Sequence, residues 1–279
     1  MKKLFLLPIL LLFTVGIFAK DSKTINVATY NIRYNNLGDG PNAWPNRKDK
    51  VKALVRYHEF DIFGTQEGLI DQIKALAEMN EFAYVGVGRD DGKEAGEHSA
   101  IFYRKDRFKL LDSGDFWLSE TPEEPSFGWD ARSHKRICSW AKFKDLQTKT
   151  DFYFFSVHFD HQAVEARRQS GILMVKKIQE IAGKLPVICV GDFNSTPETE
   201  QIQKMKTLLN DSYEVSEMPP YGPVGTFNSF NYNARMRDRI DFIFASPQIK
   251  VLKYGVLTDS YEQKFPSDHH PVTAKVRLQ

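Results

Sequence analysis

Short apolar segments recur along most of the chain, and Gly, Pro, Asn and Asp separate them. Segments of this length that are rich in β-branched and aromatic residues are typical of strands. The clearest is Pro186–Val190, which Gly191 and Asp192 follow. The predicted strands are 24–30, 60–67, 82–87, 99–103, 108–117, 137–143, 152–157, 186–190, 239–244, 250–256 and 272–278.

Apolar residues with helical spacing predict helices between these strands, at 47–58, 69–79, 164–181 and 199–209. In the first of these, Val51, Leu54 and Val55 lie on one face. Turn-forming residues predict loops at 36–45, 88–97, 118–135 and 210–233. Helices scattered among many strands predict one α+β or α/β domain, with two packed sheets and helices outside.

The N-terminus has the pattern of a secretory signal peptide. Lys2 and Lys3 precede an apolar segment that ends near Phe18, and Ala19 is a plausible cleavage point. We therefore predict a signal peptide over 1–19, a mature domain over 20–279, and export to the periplasm or the medium. An uncleaved N-terminal anchor is the alternative. Beyond the leader no segment is long and apolar enough to predict a membrane span.

The charge balance of the chain bears on the partners that we expect. The chain has 38 Lys and Arg against 36 Asp and Glu, and the leader contains two of the lysines. Proteins that hold nucleic-acid backbone through charge carry a basic excess. The balanced mature chain therefore favours a small or lipid-linked substrate, although clusters at 132–136 and 235–239 are candidate phosphate contacts.

Cys138 and Cys189 stand in apolar segments, which predicts buried free thiols.

Polar side chains able to do chemistry recur at the ends of the predicted strands. Such positions carry sites because loops at one end of a strand scaffold meet there. Each also has a structural explanation, as a turn, a cap, a solvated strand end or, for His158, a core histidine with satisfied hydrogen bonds. Asp241 is the least ordinary, since an acid inside an apolar strand needs a buried partner, and His269 is available. The set is Asn31, Glu67, His158, Asp192, Asn194, Asp241, Asp268 and His269.

These positions stand in motifs that resemble, in order, those of the endonuclease/exonuclease/phosphatase superfamily, which is DNase I-like. The motifs span nearly the whole mature chain, and the segment Leu111–Pro122 resembles exported bacterial members. The resemblance implies a four-layer α-β-β-α sandwich of α/β class, with two mixed, mainly antiparallel sheets. The motifs are Tyr-Asn31-Ile-Arg, Thr-Gln-Glu67, Val-His158-Phe-Asp-His161, Gly-Asp192-Phe-Asn194, Arg-Ile-Asp241-Phe-Ile and Ser-Asp268-His269-His-Pro.

The resemblance also implies roles for these residues. Glu67 is the implied metal ligand, helped by Asn31 and Asp268, and oxygen ligands suit Mg²⁺ or Mn²⁺. Asp241 would orient His269. Asp192 would orient or deprotonate the attacking water, and the choice of base between Asp192 and His269 stays open. Phosphate-side contacts are implied for Asn194, His158 and His161. Loop positions add Trp129 and Phe227 as candidate pocket walls, with packing within the loops as the alternative.

The leading hypothesis is therefore an exported, metal-dependent phosphoesterase that attacks a phosphodiester or phosphomonoester with an activated water. A serine nucleophile is disfavoured because no Gly-x-Ser-x-Gly motif occurs, and zinc because no His-Glu-x-x-His motif occurs. One alternative is a secreted nuclease, and a second is a non-catalytic binding protein on the same scaffold. The expected partner is a phosphate ester of a small molecule, a lipid head group or nucleic acid. We expect a monomer without a stable protein partner.

Overall fold

The structure, a computed structural model, describes residues 23–278. The predicted signal peptide over 1–19 lies outside the described residues and stays a prediction. Among the described residues, no helix combines the length and apolar character needed to cross a membrane. The strands are β1 Thr24–Asn31, β2 Ile62–Gln66, β3 Phe82–Val85, β4 Ile101–Arg104, β5 Phe108–Trp117, β6 Ile137–Asp145, β7 Asp151–His158, β8 Val187–Asp192, β9 Asn210–Asp211, β10 Asp241–Ala245, β11 Ile249–Val256 and β12 Val272–Leu278.

Five α-helices accompany these strands in the described part of the chain: α1 Lys48–Tyr57, α2 Ile70–Ala77, α3 Val164–Ala182, α4 Glu200–Lys206 and α5 Ser212–Val215. The first sheet has the order β11-β12-β1-β2-β4-β3, and the second has the order β5-β6-β7-β8-β10-β9. The pairs β1–β2 and β7–β8 are parallel, and the other pairs are antiparallel. The predicted mixed, mainly antiparallel sheets are confirmed.

The two sheets pack face to face, and helices cover their outer faces. The central apolar cluster joins residues of both sheets, among them Val27, Ile62, Phe154 and Val190. A second cluster packs α1 and α2 on the first sheet, and a third packs α3 and α4 on the second. Central strands are covered on both sides, which explains why their apolar runs are continuous rather than alternating. The predicted four-layer sandwich is confirmed.

Strand direction brings the predicted site residues to one edge. The parallel strands β1, β2, β7 and β8 all end there. The strand β10 runs antiparallel to β8, so that Asp241, its first residue, lies opposite Asp192, the last residue of β8. The strand β12 is antiparallel to β1, so the segment before Val272 returns to the end of β1.

Some local predictions were wrong. The predicted loop 36–45 contains short 3₁₀ turns at Leu37–Asn42 and Trp44–Asn46, and the predicted loop 210–233 begins with β9 and α5. These elements are too short for apolar periodicity to show. Asp241 begins its strand instead of lying inside it. The free, buried state predicted for Cys138 and Cys189 is confirmed.

Candidate active site

His269 is held by two buried residues on neighbouring segments. Its Nδ1 lies 2.9 Å from Asp241 Oδ2. The same oxygen accepts a 2.6 Å hydrogen bond from Thr226 Oγ1, and Thr226 is fully buried. The backbone keeps these groups together, because the amide of His270 donates to the carbonyl of Thr226. The predicted contact between Asp241 and His269 is present, and Thr226 extends it.

Asp192 lies on the other side of the imidazole. Its Oδ2 is 3.8 Å from His269 Nε2 and accepts a 3.0 Å hydrogen bond from Asn31 Nδ2. Asn31 Nδ2 also donates to Glu67 Oε1 at 3.0 Å, and Asn31 Oδ1 accepts from the amide of Arg33. Asn31 therefore links the end of β8 in one sheet to the end of β2 in the other.

Glu67 and Asp268 form an acidic pair in the same pocket. Glu67 Oε2 accepts from the amide of Tyr34, and the Arg33 guanidinium lies 3.9 Å from that oxygen and 3.8 Å from Asp268 Oδ2. Burial raises the pKa of the Asp268 carboxyl, and the Glu67 charge raises it further. Asp268 is buried and Glu67 is half-buried. Two acids that repel each other beside the Asn31 side chain fit a hard divalent cation such as Mg²⁺ or Mn²⁺.

A second group of the described residues has metal-ligand atoms close together. One such atom each from Asp192, Asp241 and His269 lies within 4.8 Å of the others. His269 Nδ1 is occupied by its hydrogen bond to Asp241, so the imidazole turns only Nε2 towards Asp192. We interpret this group as a hydrogen-bonded chain that orients a base, and Glu67 with Asp268 as the metal-binding pair.

Asn194 reaches the site through a turn. Its φ of 45° lies in the left-handed region, which Asn adopts more readily than most residues. The turn is closed by the Asn194 amide, which donates to Asp192 Oδ1 at 2.9 Å. Asn194 Nδ2 lies 3.2 Å from His158 Nε2 and donates to the carbonyl of Phe159. In this arrangement Asn194 orients His158, and its direct contact with phosphate stays a prediction.

Most of these side chains line a pocket of about 540 Å³ at the strand-end edge, within the range of small-molecule sites. Asn31 and Asp241 lie beneath its surface. His161 and Phe227 line it, and the Phe227 ring meets the His269 ring edge to face at 5.0 Å. Trp129 does not line it and packs instead beside Ala131, Ala163 and Ala166. His134 and Arg136, from the cluster at 132–136 that the sequence offered as a candidate phosphate contact, also line it. So do residues that the sequence analysis did not name as site residues: Arg33, Tyr34, Arg89 and Glu97.

Burial and neighbouring charge shift the pKa values in this pocket in opposite directions. Burial and the Asp241 charge raise the pKa of Asp192 to about 7. Burial lowers the pKa of His269, but attraction to Asp241 and Asp192 outweighs it and leaves that pKa well above 6.5. Burial and the Arg136 charge lower the pKa of His158 well below 6.5. Separated pKa values of this kind are typical of acid–base pairs in active sites.

We expect Thr226→Val to lower kcat for phosphoester hydrolysis by about tenfold, because Asp241 loses a hydrogen bond that fixes it beside His269. The free energy of unfolding should also fall by about 1–2 kcal/mol. Steady-state kinetics and chemical denaturation measure the two effects. Thr226→Ser keeps the hydroxyl and should restore kcat. Equal rates for Thr226→Val and the wild type would contradict the positioning role.

We expect the metal-free protein to lose stability as pH rises from about 4 to about 7. In that window the unfolded chain has ionised Asp192 while the fold keeps it protonated, so the unfolded state binds fewer protons. The difference between about 7 and the ordinary 3.8 corresponds to about 4 kcal/mol at most. Denaturation in EDTA across this range measures the slope. Asp192→Asn should flatten it, and equal slopes would contradict the raised pKa.

The comparison with known proteins agrees with this geometry. Residues 28–269 match the Endonuclease/Exonuclease/phosphatase family. A solved structure of a family protein from Bacteroides thetaiotaomicron has a TM-score of 0.88 and 45% identity, covering 92% of this chain and 98% of that one. A mannosyl-6-phosphatase from Bacteroides thetaiotaomicron VPI-5482 has a TM-score of 0.88 and 44% identity, covering 91% and 100%.

A curated relative is more distant. The exoribonuclease subunit of the CCR4-Not complex from Kluyveromyces lactis is 24% identical over 85% of this chain, which spans only 38% of that relative's length. The motif order, the four-layer sandwich, the strand-end pocket and the family match agree with one another. This chain therefore belongs to the endonuclease/exonuclease/phosphatase family, whose members are hydrolases of phosphoester bonds.

Proposed function

We propose that this chain is an exported, divalent-metal-dependent phosphoesterase that hydrolyses a sugar phosphate. The observation that carries the catalytic part is one pocket that joins an acidic pair, Glu67 and Asp268, to the side-chain series Asp241–His269–Asp192. Attack of water on a phosphoester needs a cation, an oriented imidazole and a carboxylate.

The protein residues divide the work. Mg²⁺ or Mn²⁺ would be held by Glu67 and Asp268, helped by Asn31. The ion would supply Lewis-acid polarisation of the phosphoryl oxygen. Asp241 holds Nδ1 of His269, so that Nε2 faces the pocket. Nε2 and Asp192 Oδ2 are 3.8 Å apart, close enough for one water to contact both. Water activation is therefore assigned to this pair together.

Phosphate contacts come from the opposite side of the pocket. His158 Nε2 lies 3.5 Å from Asp192 Oδ2, and His161 Nδ1 lies 2.8 Å from an Arg136 nitrogen. Donors placed around the phosphoryl group stabilise the charge that develops as water attacks. This arrangement surrounds the ester with a metal-binding pair on one side and nitrogen groups on the other.

Two observations support a sugar phosphate. The mannosyl-6-phosphatase from Bacteroides thetaiotaomicron is 44% identical to this chain and is covered completely by it. The pocket of about 540 Å³ at the strand ends is large enough for a small ligand. A nuclease is the competing function, because the relative from Kluyveromyces lactis is an exoribonuclease subunit. That relative is 24% identical to this chain, against 44% for the mannosyl-6-phosphatase.

The test is a substrate panel with the mature protein. We expect release of inorganic phosphate from mannose 6-phosphate with Mg²⁺ or Mn²⁺, none with EDTA, and little cleavage of an oligonucleotide. Preferential cleavage of the oligonucleotide, falling steeply with salt, would favour the nuclease. Metal-independent or absent turnover on every ester would contradict the phosphoesterase. Sequencing the mature N-terminus from cell fractions tests export, for which we expect cleavage after Ala19.

A further inference from the structure

One wall of the pocket enters the proposed chemistry only where Arg136 contacts His161. It is formed by Arg89 and Glu97, from the segment between β3 and β4, and by Arg136, just before β6. Arg89 and Arg136 are 6% and 5% exposed. Arginines are rarely so deeply buried unless they are paired or bind something. This wall, called the Arg89–Glu97 wall below, is therefore a candidate binding surface.

Hydrogen bonds hold the segment of the wall at several points. The amide of Arg89 donates to the carbonyl of Glu97, and the Trp117 indole donates to the carbonyl of Arg89 at 2.7 Å. The amide of His98 donates to the carbonyl of Gly68, the residue after Glu67. The wall is thus fixed directly beside the metal-binding carboxylate, as a preorganised recognition surface requires.

Hydrogen-bond capacity is left over on the wall. Arg89 Nη1 pairs with Glu97 Oε2 at 2.5 Å, and Arg136 Nε pairs with Asp160 Oδ2 at 3.3 Å. Among the described residues, the buried Arg89 Nε and Arg136 Nη1 have no hydrogen-bond partner. Buried donors without partners are costly, so a ligand or bound water that accepts from these side chains is expected.

The wall is balanced in charge. Each guanidinium faces a carboxylate, and burial lowers the pKa of the adjoining His134 and His161 imidazoles, which keeps them neutral at neutral pH. Glu97 Oε2 also lies 3.7 Å from His158 Nδ1. A second phosphate here would meet the Glu97 carboxylate. A hydroxyl, which both donates and accepts, matches a carboxylate set beside guanidinium donors.

We propose that Arg89, Glu97 and Arg136 form a subsite that binds the hydroxyl groups of a neutral polyol leaving group, such as the ring of a sugar phosphate. The subsite rests on the proposed phosphoesterase function and names the residues that select its substrate. It adjoins the phosphate position through His158, so one small molecule spans both. Binding energy at these hydroxyls is then available to position the ester at the reacting centre.

The experiment compares one ester that has ring hydroxyls with one that lacks them. We measure kcat/KM for mannose 6-phosphate and for p-nitrophenyl phosphate with Mn²⁺, in the wild type, Glu97→Gln and Arg89→Lys. We divide kcat/KM for mannose 6-phosphate by kcat/KM for p-nitrophenyl phosphate. In both variants this ratio is expected to fall by at least about tenfold, because the changed side chain no longer pairs correctly with a sugar hydroxyl. Glu94→Gln is the matched control, the same change at an exposed position on the same segment, and should keep the ratio.

An unchanged ratio in Glu97→Gln and Arg89→Lys, with turnover of both esters retained, would overturn the subsite and leave the phosphoesterase standing. No turnover of either ester by the wild type would instead overturn the proposed function, and the subsite with it. Inhibition of p-nitrophenyl phosphate hydrolysis by free mannose is a second measurement. We expect it in the wild type and at least about tenfold weaker in Arg89→Lys; equal inhibition in both would count against the subsite.

Discussion

Replacement of His269 with alanine is expected to lower kcat for phosphoester hydrolysis by about 10³-fold, the size of effect typical of a general acid or base. The imidazole is 5% exposed and stands between two carboxylates, with Nδ1 on Asp241 and Nε2 towards Asp192. Its removal deletes the proton carrier and leaves Asp241 a buried charge without its main partner. Stopped and steady-state assays on mannose 6-phosphate measure the loss, and thermal unfolding reports whether the fold persists.

The chain offers a matched control for this change. His58 and Asp259 form another histidine–aspartate pair, with Nε2 at 3.0 Å from the carboxylate, and neither residue lines the pocket. His58→Ala should therefore keep kcat within about twofold of the wild type, as is usual for substitutions away from a site. Comparable kcat values for His269→Ala and the wild type would contradict the catalytic role of the imidazole.

Replacement of Glu67 with glutamine is expected to weaken binding of Mg²⁺ or Mn²⁺ by about 100-fold or more, and activity should fall with it. The change removes one negative charge from the acidic pair while keeping its shape. Glu67 also has a positive φ of 64° just after β2, a strained backbone position that aims its carboxylate into the pocket. Calorimetric titration with each metal measures affinity directly and does not depend on turnover.

Glu78→Gln makes the same chemical change at an exposed carboxylate paired with Lys52, outside the pocket. Metal affinity in this control should equal that of the wild type. If Glu67→Gln bound metal as tightly as Glu78→Gln does, the metal-binding pair would have to lie elsewhere. The group Asp192, Asp241 and His269 would be the next candidate, since its atoms are also close together.

Much of the fold was predictable because strand and helix patterns are local. The strand β5 was predicted with its observed bounds, Phe108–Trp117, and α3 to within one residue at its end. The convergence of Asn31, Glu67 and Asp192 on one edge followed from their position at strand ends. The pattern of elements left α+β and α/β open, and the family resemblance supplied the α/β class and the mixed, mainly antiparallel sheets.

Other features depend on contacts between distant segments and left no local signal. Thr226 stands in a predicted loop, and only the pairing of its segment with His270 places its hydroxyl on Asp241. Arg89 and Glu97 belong to a loop whose composition predicts solvent exposure, yet Trp117 and Gly68 anchor it against the site. Trp129 was a candidate for lining the pocket because it is an aromatic residue in a loop. It packs instead against a small apolar cluster outside the pocket.

The most direct test of the central claim is release of inorganic phosphate from mannose 6-phosphate by the mature wild-type protein, measured in EDTA and after Mg²⁺ or Mn²⁺ is restored. The account predicts no release in EDTA and turnover of about 1 s⁻¹ or faster once a metal is present, as for an ordinary enzyme with its substrate. Turnover that is the same with and without metal would contradict a phosphoesterase built on Glu67 and Asp268.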